Sequence, residues 1–241
     1  MADTTSLSWL AGIRFDTKTD SLVARKAVCV SSYIMPANQN HGFLWEDEIK
    51  TNVFQVPDTA GYTDTHDIPK KHNKFNPNEN VSIKTVGGGT VCMGDALRVF
   101  NYSPEDVHTG IVILYKQEAE AKTLTHVYEL DLDNRPLLWG SVSQEDIKSL
   151  DALVRSMPSG KRDKAIDAQI TQMKKALNAK SGVVRFNPKI DSKNQRRLQC
   201  SIPGFNKIPA LIRTSNTECM VRGILIAASL VSGRRIRSGS V

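Results

Sequence analysis

The amino-acid sequence predicts an α+β fold, with a mainly antiparallel, sheet-rich N-terminal part followed by a helical, basic C-terminal part that contains further strands. Three observations support this class. Short runs rich in β-branched residues recur between residues 26 and 140, and residues 124–132 largely alternate between apolar and polar side chains, which is the period of a strand. From Ser143 onward the apolar residues recur at helical spacing instead. The two-residue period returns at residues 197–202.

Residues 1–20 are predicted to form an N-terminal arm. Leu7, Leu10 and Ile13 fall on one side of a short helix, and Trp9 is nearby in otherwise polar surroundings. Such an arm either folds back on its own domain or packs against a neighbouring chain, and the sequence leaves both alternatives open. These four residues are the candidate self-association site.

The sheet-rich domain is predicted to span residues 21–140. It begins with a strand over residues 26–35, and residues 43–56 are interpreted as a second, broken extended region. Residues 57–80 contain three prolines, four asparagines and little apolar material, which indicates a long polar loop.

Further short strands are predicted before the alternating segment. Their bounds are 81–86, 90–93, 96–102 and 110–116. Gly87–Gly89 lies between the first two of these strands. The last glycine is not followed by the Lys, itself followed by Ser or Thr, that a phosphate loop requires. A flexible hairpin or bulge is therefore the favoured interpretation of the three glycines.

Residues 141–231 are predicted to form a helix-containing basic region packed on the sheet domain, followed by a flexible basic tail at 232–241. A capping box at Ser143–Asp146 should start a first helix that ends before Pro158. A second helix is predicted over residues 160–180. The apolar side of this second helix should contain Ile166, Ile170, Met173 and Leu177.

Charge is divided unevenly along the chain. Residues 1–140 contain 13 Lys and Arg against 18 Asp and Glu, a balance of −5, whereas residues 141–241 contain 19 against 7, a balance of +12. Segregated positive charge attracts phosphate-rich partners such as nucleic acid or anionic lipid headgroups. The alternative is a solvated surface whose cations pair with the acidic first half of the chain.

The candidate anion-binding residues lie on the second predicted helix, just before the strand that follows it, and in the tail. They are Lys161, Arg162, Lys164, Lys174, Lys175, Arg196, Arg197, Arg234, Arg235 and Arg237. Aromatic residues make up only 6% of the chain, and no nucleic-acid-binding motif is recognisable. We therefore expect RNA or another polyanion to be bound with little base preference.

The sequence contains no signature of an enzyme. Its four cysteines are widely spaced and its five histidines do not cluster, so we predict no metal, no cofactor and no small-molecule substrate. A hydrolase or transferase with an active site assembled from Cys92, Asp106 and His108 remains an alternative, since residues far apart in sequence can meet in a fold.

The isolated cysteines are typical of free thiols in a reducing compartment. The N-terminus lacks the basic and apolar regions of a secretory signal, and the longest nearly apolar stretch, 219–231, is interrupted by Arg222. That stretch falls short of the ~20 residues of a membrane-spanning helix. We expect a protein of the cytoplasm, nucleus or virion that is not secreted.

The leading functional hypothesis is a non-enzymatic, self-associating structural protein that binds nucleic acid or an anionic membrane surface through its basic C-terminal half. By analogy of architecture alone, viral matrix, coat and movement proteins combine an arm, a sheet domain and a basic region in this way. The alternative from cellular proteins is an RNA-associated adaptor, which would bind RNA as a monomer.

Overall fold

Two larger β-sheets, a two-stranded β-sheet and five α-helices are the main elements of the described part of the chain. The structure, a computed structural model, describes residues 40–57, 65–118, 121–158, 162–190 and 195–231. Its helices and mostly antiparallel strands confirm the predicted α+β class. The predicted arm at 1–20, the strand predicted at 26–35 and the predicted tail at 232–241 lie outside the described residues.

The larger sheet contains β1 (Glu79–Val86), β3 (Val107–Glu118), β4 (Ala121–Asp131), β7 (Ile212–Asn216) and β10 (Ser229–Val231). The order is β1–β3–β4–β10, and β7 pairs with a different stretch of β4. β4 is antiparallel to β3, β7 and β10, whereas β1 runs parallel to β3, with Ile83 beside Ile111. Strands predicted at 81–86, 110–116 and 124–132 are thus confirmed, in a sheet that includes one parallel pair.

The smaller sheet is antiparallel and contains β2 (Thr90–Asp95), β6 (Arg196–Pro203) and β5 (Arg185–Ile190), in that order across the sheet. Gly87–Gly89 therefore joins strands of two different sheets, and the hairpin predicted there is wrong. The apolar side chains explain why, because Val81 and Ile83 belong to one hydrophobic cluster and Val91 and Met93 to another.

An α-helix, α1 (Asn40–Glu48), continues directly into a π-helix at Ile49–Phe54. The extended region predicted over residues 43–56 is therefore wrong. Trp45, Ile49 and Val53 are spaced four residues apart, which is the spacing of one helical face, and all three are fully buried. Burial of that face outweighs the strand preference of the individual residues.

The strand predicted at 96–102 is a short helix, α2 (Ala96–Phe100). The Asp95 carboxylate accepts a hydrogen bond of 2.9 Å from the Arg98 backbone N–H, which caps the helix. Ala96 and Val99, three residues apart, are the buried side chains of this turn.

Three helices follow the sheet-rich part: α3 (Arg135–Trp139), α4 (Gln144–Arg155) and α5 (Lys164–Lys180). The predicted capping box is confirmed, since the Ser143 hydroxyl accepts from the Asp146 N–H while the Asp146 carboxylate accepts from the Ser143 N–H. α5 ends where predicted but begins at Lys164 instead of residue 160.

The residues directly after α5 lie close enough to the end of α3 for their main chains to form hydrogen bonds. The N–H groups of Val183 and Val184 donate to the carbonyls of Leu137 and Leu138, at 2.9 and 3.1 Å. A Cβ added at Gly182 would stand only 2.0 Å from the Leu137 carbonyl oxygen, so this approach requires glycine.

The polar loop predicted at 57–80 contains a single 3₁₀ turn, Lys70–His72, among the residues described there. Near the other end of the chain, β8 (Met220–Val221) and β9 (Ile224–Leu225) form a small antiparallel pair. Val221 and Ile226 are buried in the core, and Leu225 is 59% exposed.

Two hydrophobic clusters cover the two faces of the larger sheet. Ile111 and Ile113 pack in a cluster with Trp45 of α1, whereas Val112 joins the cluster formed by the smaller sheet, α4 and α5. The larger sheet is therefore a central layer. The opposite face of the smaller sheet is more open to solvent, with Cys92, Lys189 and Arg197 exposed.

Candidate nucleic-acid interface

The helix α5 is amphipathic, and its local sequence explains both its start and its orientation. The Asp163 carboxylate caps the helix by accepting from the N–H groups of Ala165 and Ile166, at 2.8 and 3.1 Å. Ile170 and Leu177 are buried against the core, with Ile166 and Met173 packed beside them as predicted. The opposite side of the helix therefore faces solvent.

Lys164 and Lys175 lie on this solvent side and are exposed, and Lys174 next to them is half-buried. The first two are separated by three helical turns, about 16 Å along the axis. In the part of the chain that the structure describes, none of the three forms an ion pair or a side-chain hydrogen bond. The exposed Lys164 and Lys175 therefore direct their positive charges at solvent, without an acidic partner from the described ranges.

A second group of cations lies on the open face of the smaller sheet. Lys189 of β5 is paired in register with Arg197 of β6, so the two side chains share one face of the antiparallel ladder. Both are exposed. Like charges placed directly opposite destabilise a sheet, and over the described residues no acidic side chain is paired with either of them.

The five residues Lys164, Lys174, Lys175, Lys189 and Arg197 are together called the basic surface below; it consists of two patches, one on the solvent side of α5 and one on the face of the smaller sheet opposite the cluster that contains α5. Lys189 was missed by the sequence analysis, because its placement opposite Arg197 depends on the register of the β5–β6 pair. A signal was present in residues 189–197, which include four Lys and Arg side chains but no more than one apolar residue, Ile190.

Two other predicted anion-binding residues are already engaged. The Arg162 guanidinium lies 2.7 Å from Asp167, in an exposed ion pair at the start of α5. Arg196 donates to the carbonyl oxygen of Pro158 at 2.6 Å, which ties β6 to the segment after α4. The remaining predicted residues, Lys161, Arg234, Arg235 and Arg237, lie outside the described residues, as do Leu7, Trp9, Leu10 and Ile13.

Two arginines from the second half of the chain do pair with acids from the first half. Arg222 lies 2.7 Å from Glu79 and 3.2 Å from Glu129, the second without a hydrogen bond from its Nε. Arg213 lies 2.9 Å from Asp131 and 2.8 Å from Asp133. Glu79, Glu129, Asp131, Asp133, Arg213 and Arg222 are called the ion-pair cluster below.

The two glutamates of the ion-pair cluster have shifted pKa values. Burial alone would raise the pKa of Glu79, but hydrogen bonds and charge from Thr109 and Arg222 hold it below its ordinary value. Burial raises the pKa of Glu129, opposed by Arg222 and reinforced by the neighbouring Glu79. The cluster joins the β8–β9 turn to β1 and β4, so its role is to hold the fold together.

The alternative catalytic residues are distributed over two regions. His108 is buried in β3, where its Nε2 lies 2.9 Å from the Ser103 carbonyl oxygen and its Nδ1 lies 3.3 Å from His66 Nε2. Asp106 accepts from the Lys70 ammonium at 2.6 Å. Cys92 is exposed on the smaller sheet. No hydrogen bond among the described residues joins this cysteine to His108 or Asp106.

The His108 ring stacks on His66 and on Tyr102, and the His66 ring is tilted against Tyr102, with centroids 4.5 to 5.1 Å apart in the three pairs. Burial, together with the charges of His108 and Arg98, lowers the pKa of His66 to about 4. The described residues include no group of three or more His, Cys, Asp or Glu side chains arranged to hold a metal ion.

None of the helices in the described ranges is both long and apolar enough to cross a membrane. The chain matches no protein-family model, and neither curated proteins nor solved structures show a significant similarity to it.

Proposed function

We propose that this protein binds nucleic acid through the sugar-phosphate backbone, using the basic surface on α5 and the β5–β6 pair. The observation that carries the proposal is the absence of acidic partners around Lys164, Lys175, Lys189 and Arg197 in the described residues, although all four are exposed. A fold that needed these charges only for solubility would intersperse acids among them.

The charge balance around the basic surface supports the same proposal. The described residues between 162 and 207 contain ten Lys and Arg but only Asp163 and Asp167 as acids. One of these acids caps α5 and the other pairs with Arg162. The field of this region is therefore positive, and each phosphate that it neutralises would release bound counterions.

We extend the proposal to a non-enzymatic structural role, in which the protein coats or carries nucleic acid in the manner of viral matrix, coat or movement proteins. This role requires self-association, so the mass measured by light scattering should rise with concentration. A cellular RNA-associated adaptor would instead remain a monomer while it binds RNA. A protein that bound anionic vesicles and not nucleic acid would contradict the proposal.

The direct test is the double variant Lys164→Gln/Lys175→Gln, measured for binding to a labelled nucleic acid over a series of salt concentrations. Each lost phosphate contact should reduce the salt slope by ~0.9, and two contacts should cost about 60-fold in affinity near 0.1 M salt. Helix content by circular dichroism should stay unchanged, because both side chains are exposed.

The matched control is Lys116→Gln/Lys148→Gln, which removes the same charge from two exposed lysines elsewhere. Each of these lysines already pairs with a nearby acid, Glu118 or Glu145. The control should bind like the unaltered protein. Equal loss of affinity in both double variants would show that net charge alone matters and would overturn the assignment of the basic surface.

A further inference from the structure

The chemistry around the basic surface differs from that of single-strand-binding surfaces. Residues 141–241 contain no Trp, Tyr or His, and their only two aromatic residues are Phe186 and Phe205. Both are fully buried in the hydrophobic core. No aromatic ring from this half of the chain is therefore exposed beside the lysines and arginines.

Small and polar residues fill the space between the cations instead. Ala168, Thr171 and Gln172 are exposed on the solvent side of α5, and Asn187 and Gln199 are half-buried on the open face of the smaller sheet. These residues can contact phosphate or sugar oxygens, but they provide no flat apolar surface on which a base would stack.

This composition determines which form of nucleic acid should bind more tightly. Proteins that prefer single strands obtain much of their affinity from stacking bases on aromatic rings, at about 1–3 kcal/mol per base. Without rings, affinity depends on phosphate density, and a duplex carries one charge per ~1.7 Å of axis, against ~3.4 Å for one strand. A duplex also holds its phosphates at fixed spacing, so less chain freedom is lost on binding.

We infer that the basic surface binds a nucleic-acid duplex in preference to a single strand, through contacts to the phosphates and without base-specific contacts. This inference rests on the proposed function and specifies its ligand. For the two contacts of the α5 patch, from Lys164 and Lys175, the salt slopes should be about −1.8 for a duplex and −1.4 for a single strand. At 0.1 M salt this difference corresponds to about 2.5-fold tighter binding of the duplex.

The test compares a 20-base-pair DNA duplex with one of its own separated strands, chosen to have no self-complementarity, in binding titrations with the full chain over several salt concentrations. Tighter duplex binding with the steeper salt slope supports the inference. Equal or tighter binding of the single strand overturns it and leaves the proposed function intact. Failure of both probes to bind overturns the proposed function as well.

Phe75 offers a control for an unexpected single-strand preference. It is 40% exposed in the loop after the 3₁₀ turn, and the Lys74 ammonium lies 5.2 Å from its ring centroid. The variant Phe75→Ala should leave both affinities unchanged, because this ring packs on Phe54, which belongs to the hydrophobic cluster on the other face of the larger sheet from α5 and the smaller sheet. If it abolishes tight single-strand binding, a stacking site at Phe75 replaces the duplex surface as the main contact.

Discussion

The basic surface and the ion-pair cluster use the same residue types from the same half of the chain, yet they differ in what surrounds their charges. Arg213 and Arg222 reach carboxylates of the first half, and Glu79 at the centre is only 2% exposed. Lys164, Lys175, Lys189 and Arg197 have no such partner among the described residues. The net charge of a segment is therefore a poor guide to its binding surface until each cation has been assigned its partner.

The two regions should respond to charge removal in opposite ways. In the ion-pair cluster, loss of Arg222 leaves the buried Glu79 carboxylate with only the more distant Arg213, at 3.8 Å, which is costly for stability. At the basic surface, loss of a cation removes only a solvated charge, which changes stability little and binding strongly. The following variants test this contrast in order of expected effect.

The largest expected effect is that of Arg222→Met. We expect the free energy of unfolding to fall by about 3–5 kcal/mol, because Glu79 would lose its 2.7 Å ion pair while remaining buried. Urea denaturation followed by circular dichroism measures the loss. If the single variant does not fold, Glu79→Gln/Arg222→Met should recover a folded protein, since it removes both charges. A single variant as stable as the unaltered protein would contradict the assigned role of the cluster.

A smaller effect is expected from acid acting on the same cluster. The pKa of Glu79 is lowered in the fold, so its ion pairs stabilise the protein above the ordinary value of 4.5 and are lost as the pH falls through the lowered pKa. Protonation of Glu129, whose pKa is raised, instead increases the stability of the fold as the pH falls, because its ionised form is disfavoured in the fold.

The measurement is the unfolding free energy of the unaltered protein and of Glu79→Gln at several pH values from 7 to 3. The stability difference between them should be greatest at neutral pH and should narrow below 4.5. A difference that stayed constant over this range would show that ionised Glu79 contributes nothing to stability.

The smallest effect on stability, and the one with the opposite sign, is expected for Arg197→Glu. It replaces the like-charge pair with Lys189 by an opposite-charge pair, which should raise the free energy of unfolding by roughly 0.2–1 kcal/mol. Affinity for nucleic acid should fall at least eightfold near 0.1 M salt, by loss of about one phosphate contact. Lys116→Glu, beside Glu118, is the control. It should not raise the free energy of unfolding, and it should not lower the affinity for nucleic acid.

Features set by neighbouring residues could be predicted from the sequence. The capping box at Ser143, the apolar side of α5 and the alternation along β6 all depend on contacts within a few residues, and all three are confirmed. The short helices α1 and α2 could not be predicted, because Trp45 and Val99 are buried by packing with distant strands. For such short elements, tertiary packing outweighs local preference.

The same distinction applies to the candidate site. The lysines of α5 could be placed from helical periodicity alone, and Lys164 and Lys175 lie on its exposed side. The partners of Arg222 could not, because Glu79 precedes it by 143 residues and no pattern connects the two. The pairing of Lys189 with Arg197 likewise required the strand register.

The glycine contact between α5 and α3 has a mechanical consequence for any ligand that meets the helix. Gly182 lies against the Leu137 carbonyl, and main-chain hydrogen bonds join the residues directly after α5 to α3, so the C-terminal end of α5 is attached to its neighbour. Adjustment to a curved or irregular partner then depends on the lysine side chains of α5, whose long aliphatic chains are flexible.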